Sequence, residues 1–256
     1  MLKKYLFCLI IILGMVPNIV KASDNSAAKI GNNYYDNLKD AIAAAKSTDT
    51  ITLTSNVVLE DSLIIDKVIN LNLNGRNISG PSKVFQVEGG TLNLSGTGKI
   101  AETEPNYGAV FIKGSTDPLE NEYSVVNVGK DIILEGWSGI FVANNGSKAY
   151  GVEVNLEGSI NAVKDTSGGT GIGIYVNGNI NHPDNHPIVN IKDGANIKAD
   201  GIGLYIAGFA TFNINKASIT GTEAGIGIKS GILNINGALQ AIGFALLVLF
   251  FVFTNS

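Results

Sequence analysis

Two histidines lie four residues apart in the sequence NINHPDNHPIVN, with a carboxylate between them: His182, Asp184 and His186. Imidazole nitrogens and carboxylate oxygens are common zinc ligands, so these residues are a candidate metal site. Pro183 and Pro187 prevent the helix that would place both histidines on one face. The further ligands that zinc needs are not evident in the sequence. We therefore expect a protruding loop here, and no bound metal or cofactor.

A second candidate metal site is the acidic run Asp117, Glu120 and Glu122 in KGSTDPLENEYS. Carboxylate oxygens bind calcium, but the run lacks the glycine-aspartate repeat of calcium-binding solenoids. A solvated loop inserted between two strands is the simpler interpretation.

Glycine-rich segments recur in GGTGIGIYVNGN and, thirty residues later, in DGIGLYIAGFA. A dinucleotide-binding loop needs a strand before the glycines and a helix after them. Here the glycines lead directly into another alternating segment, IGIYV, and no helical pattern follows. We therefore expect these glycines to form turns and to permit close stacking of the backbone.

The elements that carry these residues are repeats. An apolar-Asn-apolar triplet recurs with its asparagines 21 to 35 residues apart. The seven central residues are Asn72, Asn93, Asn127, Asn155, Asn190, Asn213 and Asn234. Between the triplets lie GAVFI, GIFV, GIGIYV, GIGLYI and GIGIK, which also alternate apolar and other residues. Alternation with a period of two predicts strands with one buried face, and the repetition predicts the coils of a β-solenoid.

One segment instead has helical periodicity. In YYDNLKDAIAAAKS, the residues on one helical face are Leu38, Ala41, Ile42 and Ala45. Asp36 or Asn37 would be the N-cap. A single amphipathic helix before the first coil predicts a cap over the apolar end of the solenoid.

The stretch YYDNLKDAIAAAKSTDTITLTSNVVLEDSLIIDKVINLNLNGRNISG resembles the N-terminal region of right-handed parallel β-helix proteins of the pectate-lyase-like group, in particular the adhesive domains of bacterial surface proteins. The likeness extends over roughly residues 28–237. It implies an all-β, right-handed parallel β-helix with a short N-terminal capping helix, and a structural or adhesive role toward glycans or surface proteins.

The same resemblance leaves an enzyme as the alternative: a polysaccharide lyase or glycoside hydrolase acting on uronate-type polymers. A lyase of this group would show calcium-binding carboxylates and a basic residue for proton abstraction. Arg76, the one arginine, lies in a turn with no acidic cluster aligned to it, which argues against a lyase. A hydrolase would need paired carboxylates on one face, and the sequence has no repeating pair of aspartates. We expect no catalytic residues.

Aligning the glycine motifs places Ile172, Ile174 and Val176, and likewise Ile202, Leu204 and Ile206, on the core face. The residues between them point outward, which predicts a column of aromatic side chains: Phe111, Phe141, Tyr175 and Tyr205. Lys229 would continue this column at one end and Gln86 at the other. Such rings either bind sugar rings or a partner chain, or stack on each other and stiffen the sheet.

Composition and the chain start predict the compartment. Residues 1–22 have a basic start, an apolar run from Tyr5 to Val16 and small residues before Ser23, as in a secretory signal peptide. The sole cysteine, Cys8, lies in this leader, and 45% hydrophobic against 16% charged residues argues for a folded chain. With a net charge of −4 and no basic cluster, we expect no nucleic-acid partner and a bacterial protein that is secreted or at the cell surface.

We expect the β-helix domain to occupy residues 23–237, followed by a hydrophobic segment, 238–256, that allows two interpretations. The apolar run from Ala241 to Phe253 is shorter than the roughly 20 residues that span a bilayer, but it would serve as a short membrane anchor. Alternatively, NINGALQAIGFALLV aligns with NINKASITGTEAGIGI and forms an atypical last coil. The alignment favours the coil.

Overall fold

The structure is a computed structural model that describes residues 26–117, 119, 123–143, 149–177, 184–237 and 240–242. These residues form a parallel β-helix solenoid with one short helix, which confirms the predicted fold class. Three parallel sheets run along the solenoid, and each complete coil contributes one strand to each sheet. The described residues make seven complete coils and begin an eighth.

The N-terminal cap consists of a hairpin and a helix. Strands β1 (Ala28–Ile30) and β2 (Asn33–Tyr35) pair antiparallel, and β1 also pairs antiparallel with the first strand of the solenoid. Helix α1 (Leu38–Ala44) has Asn37 as its N-cap, and the Oδ1 of Asn37 accepts the backbone N–H of Asp40 at 2.8 Å. The predicted face, which ends with the C-cap residue Ala45, is buried in the core. The helix prediction is therefore confirmed, whereas the hairpin was not predicted.

Sheet A contains β1, β2 and one parallel strand from each coil. These strands are β3 (Thr50–Leu53), β6 (Val68–Asn72), β9 (Thr91–Ser95), β12 (Ser124–Val128), β15 (Val152–Leu156), β18 (Ile188–Ile191), β21 (Thr211–Asn215) and β24 (Ile232–Asn236).

Sheets B and C complete each coil. Sheet B holds β4 (Val57–Val58), β7 (Ile78–Gly80), β10 (Gly98–Glu102), β13 (Ile132–Gly136), β16 (Ser159–Ala162), β19 (Asn196–Ala199), β22 (Ser218–Gly221) and β25 (Gln240–Ile242). Sheet C holds β5 (Leu63–Ile65), β8 (Phe85–Glu88), β11 (Val110–Lys113), β14 (Ser138–Ala143), β17 (Ile172–Val176), β20 (Ile202–Ile206) and β23 (Ala224–Ile228).

The repeated glycines of sheet C make room for the core. A Cβ atom built on Gly139, Gly173 or Gly203 would lie less than 3.0 Å from the side chain of an isoleucine in sheet B. These isoleucines are Ile160, Ile197 and Ile219, which are almost fully buried and stack from coil to coil. The glycine motif therefore recurs because the narrow solenoid has no space for a side chain opposite each isoleucine.

The inward glycines also correct one prediction. Ile174 and Leu204 are fully buried as expected, but Ile172 and Ile202, expected on the same core face, are only half-buried. The adjacent residues Gly173 and Gly203 are buried instead, so strict alternation fails at the start of these strands.

An asparagine ladder runs along the outer face of sheet A. Each Nδ2 donates to the Oδ1 of the asparagine one coil nearer the N-terminus, at 2.6 to 3.0 Å, over six successive contacts. The first member is Asn70, which pairs with Asn93, and not the predicted Asn72, which pairs with Ser95. The Nδ2 of Asn70 ends the ladder by donating to the backbone oxygens of Ser47 and Asp49.

Two predicted segments lie mainly outside the described residues. The predicted signal peptide, residues 1–22, is wholly outside them. Of the C-terminal segment, Gln240–Ile242 form β25, which pairs in parallel with β22, while 238–239 and 243–256 are not described. No helix in the described ranges is long and apolar enough to span a membrane.

Candidate functional site

Strand register brings the predicted aromatic residues together. Phe111 pairs with Phe141, Phe141 with Tyr175, and Tyr175 with Tyr205, on four successive coils of sheet C. We call these four residues the ring column. They take the outward positions of β11, β14, β17 and β20, because in each strand the residues before and after the ring are apolar and buried in the core.

One end of the column differs from the prediction. Gln86 pairs with Phe111 as expected, and Ile64 pairs with Gln86 on the coil before it. At the other end Tyr205 pairs with Gly227, so the prediction that Lys229 continues the column is wrong. Lys229 follows the last residue of β23, and its N–H bonds the backbone oxygen of Ile206.

The rings of the column stack on one another. The centroids of Phe141 and Tyr175 are 4.5 Å apart with an angle of 21° between the ring planes, and those of Phe111 and Phe141 are 5.6 Å apart at 16°. Tyr175 and Tyr205 are tilted by 46° at 5.7 Å. Near-parallel neighbours cover each other's faces, so the middle of the column presents ring edges to solvent. A sugar ring that stacks on aromatics needs a free face.

Two further aromatic residues cover the column and were missed by sequence reasoning. Tyr107 meets Phe111 and Phe141 edge to face at 6.2 and 5.7 Å, and Trp137 lies 5.9 Å from Phe141 and 6.3 Å from Tyr175. We call Tyr107 and Trp137 the flanking rings. Both stand in turns and not in strands, so they break the repeat. Tyr107 is 39% exposed, whereas Phe111 beneath it is only 6% exposed.

A buried carboxylate holds the segments that carry this cover. Oε2 of Glu102 accepts the backbone N–H of Trp137 at 2.9 Å, and Oε1 accepts the N–H of Lys83 at 3.0 Å. The indole N–H of Trp137 donates to the backbone oxygen of Thr170 at 2.9 Å. The Nζ of Lys83 lies 4.2 Å from the centre of the Tyr107 ring and forms a cation–π contact. Glu102, with 7% exposure, therefore positions both a flanking ring and the cation beside the other.

The electrostatics of the site are mild. Burial, together with the neighbouring Tyr205, raises the pKa of Tyr175, so this phenol is neutral at physiological pH. Burial raises the pKa of Glu88, whereas the hydrogen bonds from Gln86 and Lys113 and the charge of Lys113 lower it. The lowering effects together are larger, so the pKa of Glu88 lies below its usual value. The Nζ of Lys113 lies 3.1 Å from Oε2 of Glu88. The outer surface of sheet C thus carries a stack of neutral rings and, beside it, the ion pair of Glu88 and Lys113.

The other candidates do not assemble a site within the described residues. His186 contacts Thr211 through Nε2 at 2.6 Å, and its ring packs on Phe209. Asp184 is exposed, and His182 lies outside the described residues. Asp117 is exposed and its Oδ1 accepts the N–H of Leu119, while Glu120 and Glu122 are also outside the described residues.

In the part of the chain that the structure describes, no three histidine, cysteine or acidic residues come together as metal ligands. Arg76 is exposed in the turn after β6. Comparisons of this chain with protein-family models, with curated proteins and with solved structures found no match.

Proposed function

We propose that this chain is a secreted bacterial surface protein with a structural or adhesive role, of the pectate-lyase-like adhesive type. Its solenoid would present the aromatic cluster of sheet C to glycans or surface proteins. The observation that supports this proposal is the concentration of six aromatic rings on one outward surface: the ring column and the two flanking rings.

The contact surface would be the flanking rings and the Tyr205 end of the column. Faces within the column are covered by neighbouring rings, while Tyr107 is substantially exposed and Trp137 half-exposed. Beyond Tyr205 the next outward residue is Gly227, which has no side chain to cover the tyrosine. Partly exposed aromatic rings next to a lysine suit the apolar faces and hydroxyl groups of sugars.

The test is binding to immobilised glycans and to extracellular matrix proteins by the wild type and by Tyr107→Ser/Trp137→Ala. We expect the double variant to lose at least tenfold in affinity while its circular dichroism spectrum is unchanged. Tyr123→Ser is the matched control, because Tyr123 is an exposed aromatic residue outside the cluster. Equal binding by the wild type and the double variant would refute the proposed surface.

The enzymatic alternative is separated by a second measurement. A lyase acting on a uronate polymer releases unsaturated products that absorb in the ultraviolet, and a hydrolase releases reducing ends. Steady product formation from polygalacturonate by the wild type would replace the adhesive proposal with an enzymatic one. Binding without product formation is the expected result.

A further inference from the structure

A polar groove runs along the solenoid on another face, where sheet A turns into sheet B. It consists of two depressions of about 400 and 640 Å3, both of which are lined by Glu157 and Lys192. Its lining residues come from six successive coils, from Leu94 to Gly237. At about 4.8 Å per coil, this corresponds to roughly 24 Å along the axis.

One side of the groove is lined by asparagines: Asn127 and Asn155, which belong to the ladder, and Asn215 and Asn236, which end strands β21 and β24. Asn127 donates one Nδ2 hydrogen to Asn93 and accepts one bond from Asn155. A side-chain amide has two N–H donors and an oxygen with two lone pairs. One donor and one lone pair of Asn127 thus remain for a ligand. Asn155 uses both of its Nδ2 hydrogens, on Asn127 and Glu153, but keeps one lone pair on the Oδ1 that accepts from Asn190. Further along the groove, the amides of Asn215 and Asn236 add further groups that donate and accept.

The other side of the groove carries balanced charges. Glu157 and Lys192 occupy adjacent coils, as do Asp193 and Lys216, whose charged groups lie 3.9 Å apart. Two acidic and two basic residues give no net attraction for an anionic or a cationic polymer. None of the lining residues is aromatic, so a ligand would bind through hydrogen bonds.

We propose that this groove binds an uncharged, hydroxyl-rich polysaccharide that lies along the solenoid axis. Hydroxyl groups both donate and accept hydrogen bonds, as the amides do, and an extended sugar polymer repeats on a length similar to the coil spacing. The site is separate from the aromatic cluster and does not depend on the proposed function. It requires only that the ladder and the charged turns keep their geometry.

The test is electrophoresis of the full chain in native gels that contain dextran, hydroxyethyl cellulose or polygalacturonate. Glu157→Ala/Lys192→Ala removes one acid and one base, so the net charge and the mobility without polymer are unchanged. Lys99→Ala/Glu135→Ala is the matched control, because it removes a charge pair of the same composition from sheet B. Tyr107→Ser/Trp137→Ala reports on the aromatic cluster in the same gels.

We expect at least one of the two neutral polymers to retard the wild type and the control pair, Lys99→Ala/Glu135→Ala. The groove pair, Glu157→Ala/Lys192→Ala, should bind that polymer at least tenfold more weakly. Retardation by polygalacturonate alone, no retardation by either neutral polymer, or equal weakening by both charge pairs would overturn the proposal. Loss of neutral-polymer retardation in the aromatic variant but not in the groove variant would assign the binding to the aromatic cluster and also overturn it. If glycan binding by the cluster fails while the groove pair still weakens retardation, only the groove proposal stands.

Discussion

Replacing Glu102 tests whether one buried carboxylate organises the aromatic cluster. Glu102→Ala leaves the backbone N–H groups of Lys83 and Trp137 without the acceptors that lie 3.0 and 2.9 Å away. A buried donor without a partner costs about 1–3 kcal/mol, and water entering the vacated space would keep each loss near the lower end. We therefore expect the free energy of unfolding to fall by about 2–4 kcal/mol.

The assay is urea unfolding followed by fluorescence and by far-ultraviolet circular dichroism. Trp137 is the one tryptophan of the chain, so the fluorescence signal reports on the segment that Glu102 holds. We expect native Glu102→Ala to emit at longer wavelength than the wild type, because the indole is less firmly packed on Phe141 and Tyr175. Glu102→Gln keeps one acceptor oxygen and should lose about half as much stability.

Glu104 supplies the matched control. It lies two residues away and is exposed, so Glu104→Ala should change the free energy of unfolding by less than about 0.5 kcal/mol. If Glu102→Ala is as stable as Glu104→Ala and shows the wild-type emission, the carboxylate does not position Trp137.

Two further predictions address the core and the surface charges. Gly173→Ala places a methyl group against the backbone oxygen of Gly203 and the side chain of Ile197. Overpacking of this kind costs about 1–3 kcal/mol, measurable as a lower urea midpoint. A midpoint equal to the wild type would show that the core has free space there. Burial raises the pKa of Glu135, whereas the hydrogen bonds from Lys99 and Asn161 and the charge of Lys99 lower it. The lowering effects together are larger, so the pKa in the folded state lies below that in the unfolded chain. The Glu135 carboxylate therefore stabilises the fold above about pH 4.3, and this contribution is lost as the pH falls through the lowered pKa. Glu135→Gln should thus be less stable than the wild type at pH 7, with a smaller difference at pH 3; the same difference at both values would contradict the shift.

The sequence predicted the β-helix and the ring column because both depend on a period of two. The same period explains one error. INLNLN contains two overlapping triplets, centred on Asn70 and Asn72, and a shift of two residues keeps every side chain on its face. The register therefore depends on features outside the strand's own pattern, such as the turns and the hydrogen bonds of Asn70 to the carbonyl oxygens of Ser47 and Asp49.

Other features could not be predicted because they depend on where turns place their residues. Trp137 stands between β13 and β14, and nothing in the local sequence indicates that its ring returns over Phe141 and Tyr175. Likewise, the inward direction of Gly173 follows from the narrow core opposite Ile197, and not from the strand's own pattern. The error at Lys229 is again a shift of two residues: the motif alignment put Gly225 opposite Gly201, whereas the strand register puts it opposite Gly203.

The ring column and the asparagine ladder meet the same physical requirement on two sheets. Each coil contacts only the coils next to it. Outward side chains that repeat in register therefore add attraction between neighbouring coils on the outer face, which the core does not reach. Stacked rings contribute about 0.5–1.5 kcal/mol per pair, but they use their faces to do so. Recognition at the aromatic cluster is therefore expected where the repeat is interrupted, at Tyr107, at Trp137 and at the Tyr205 end next to Gly227. On sheet C, therefore, the regular positions hold the coils together through their ring faces, and the irregular ones remain available to a ligand.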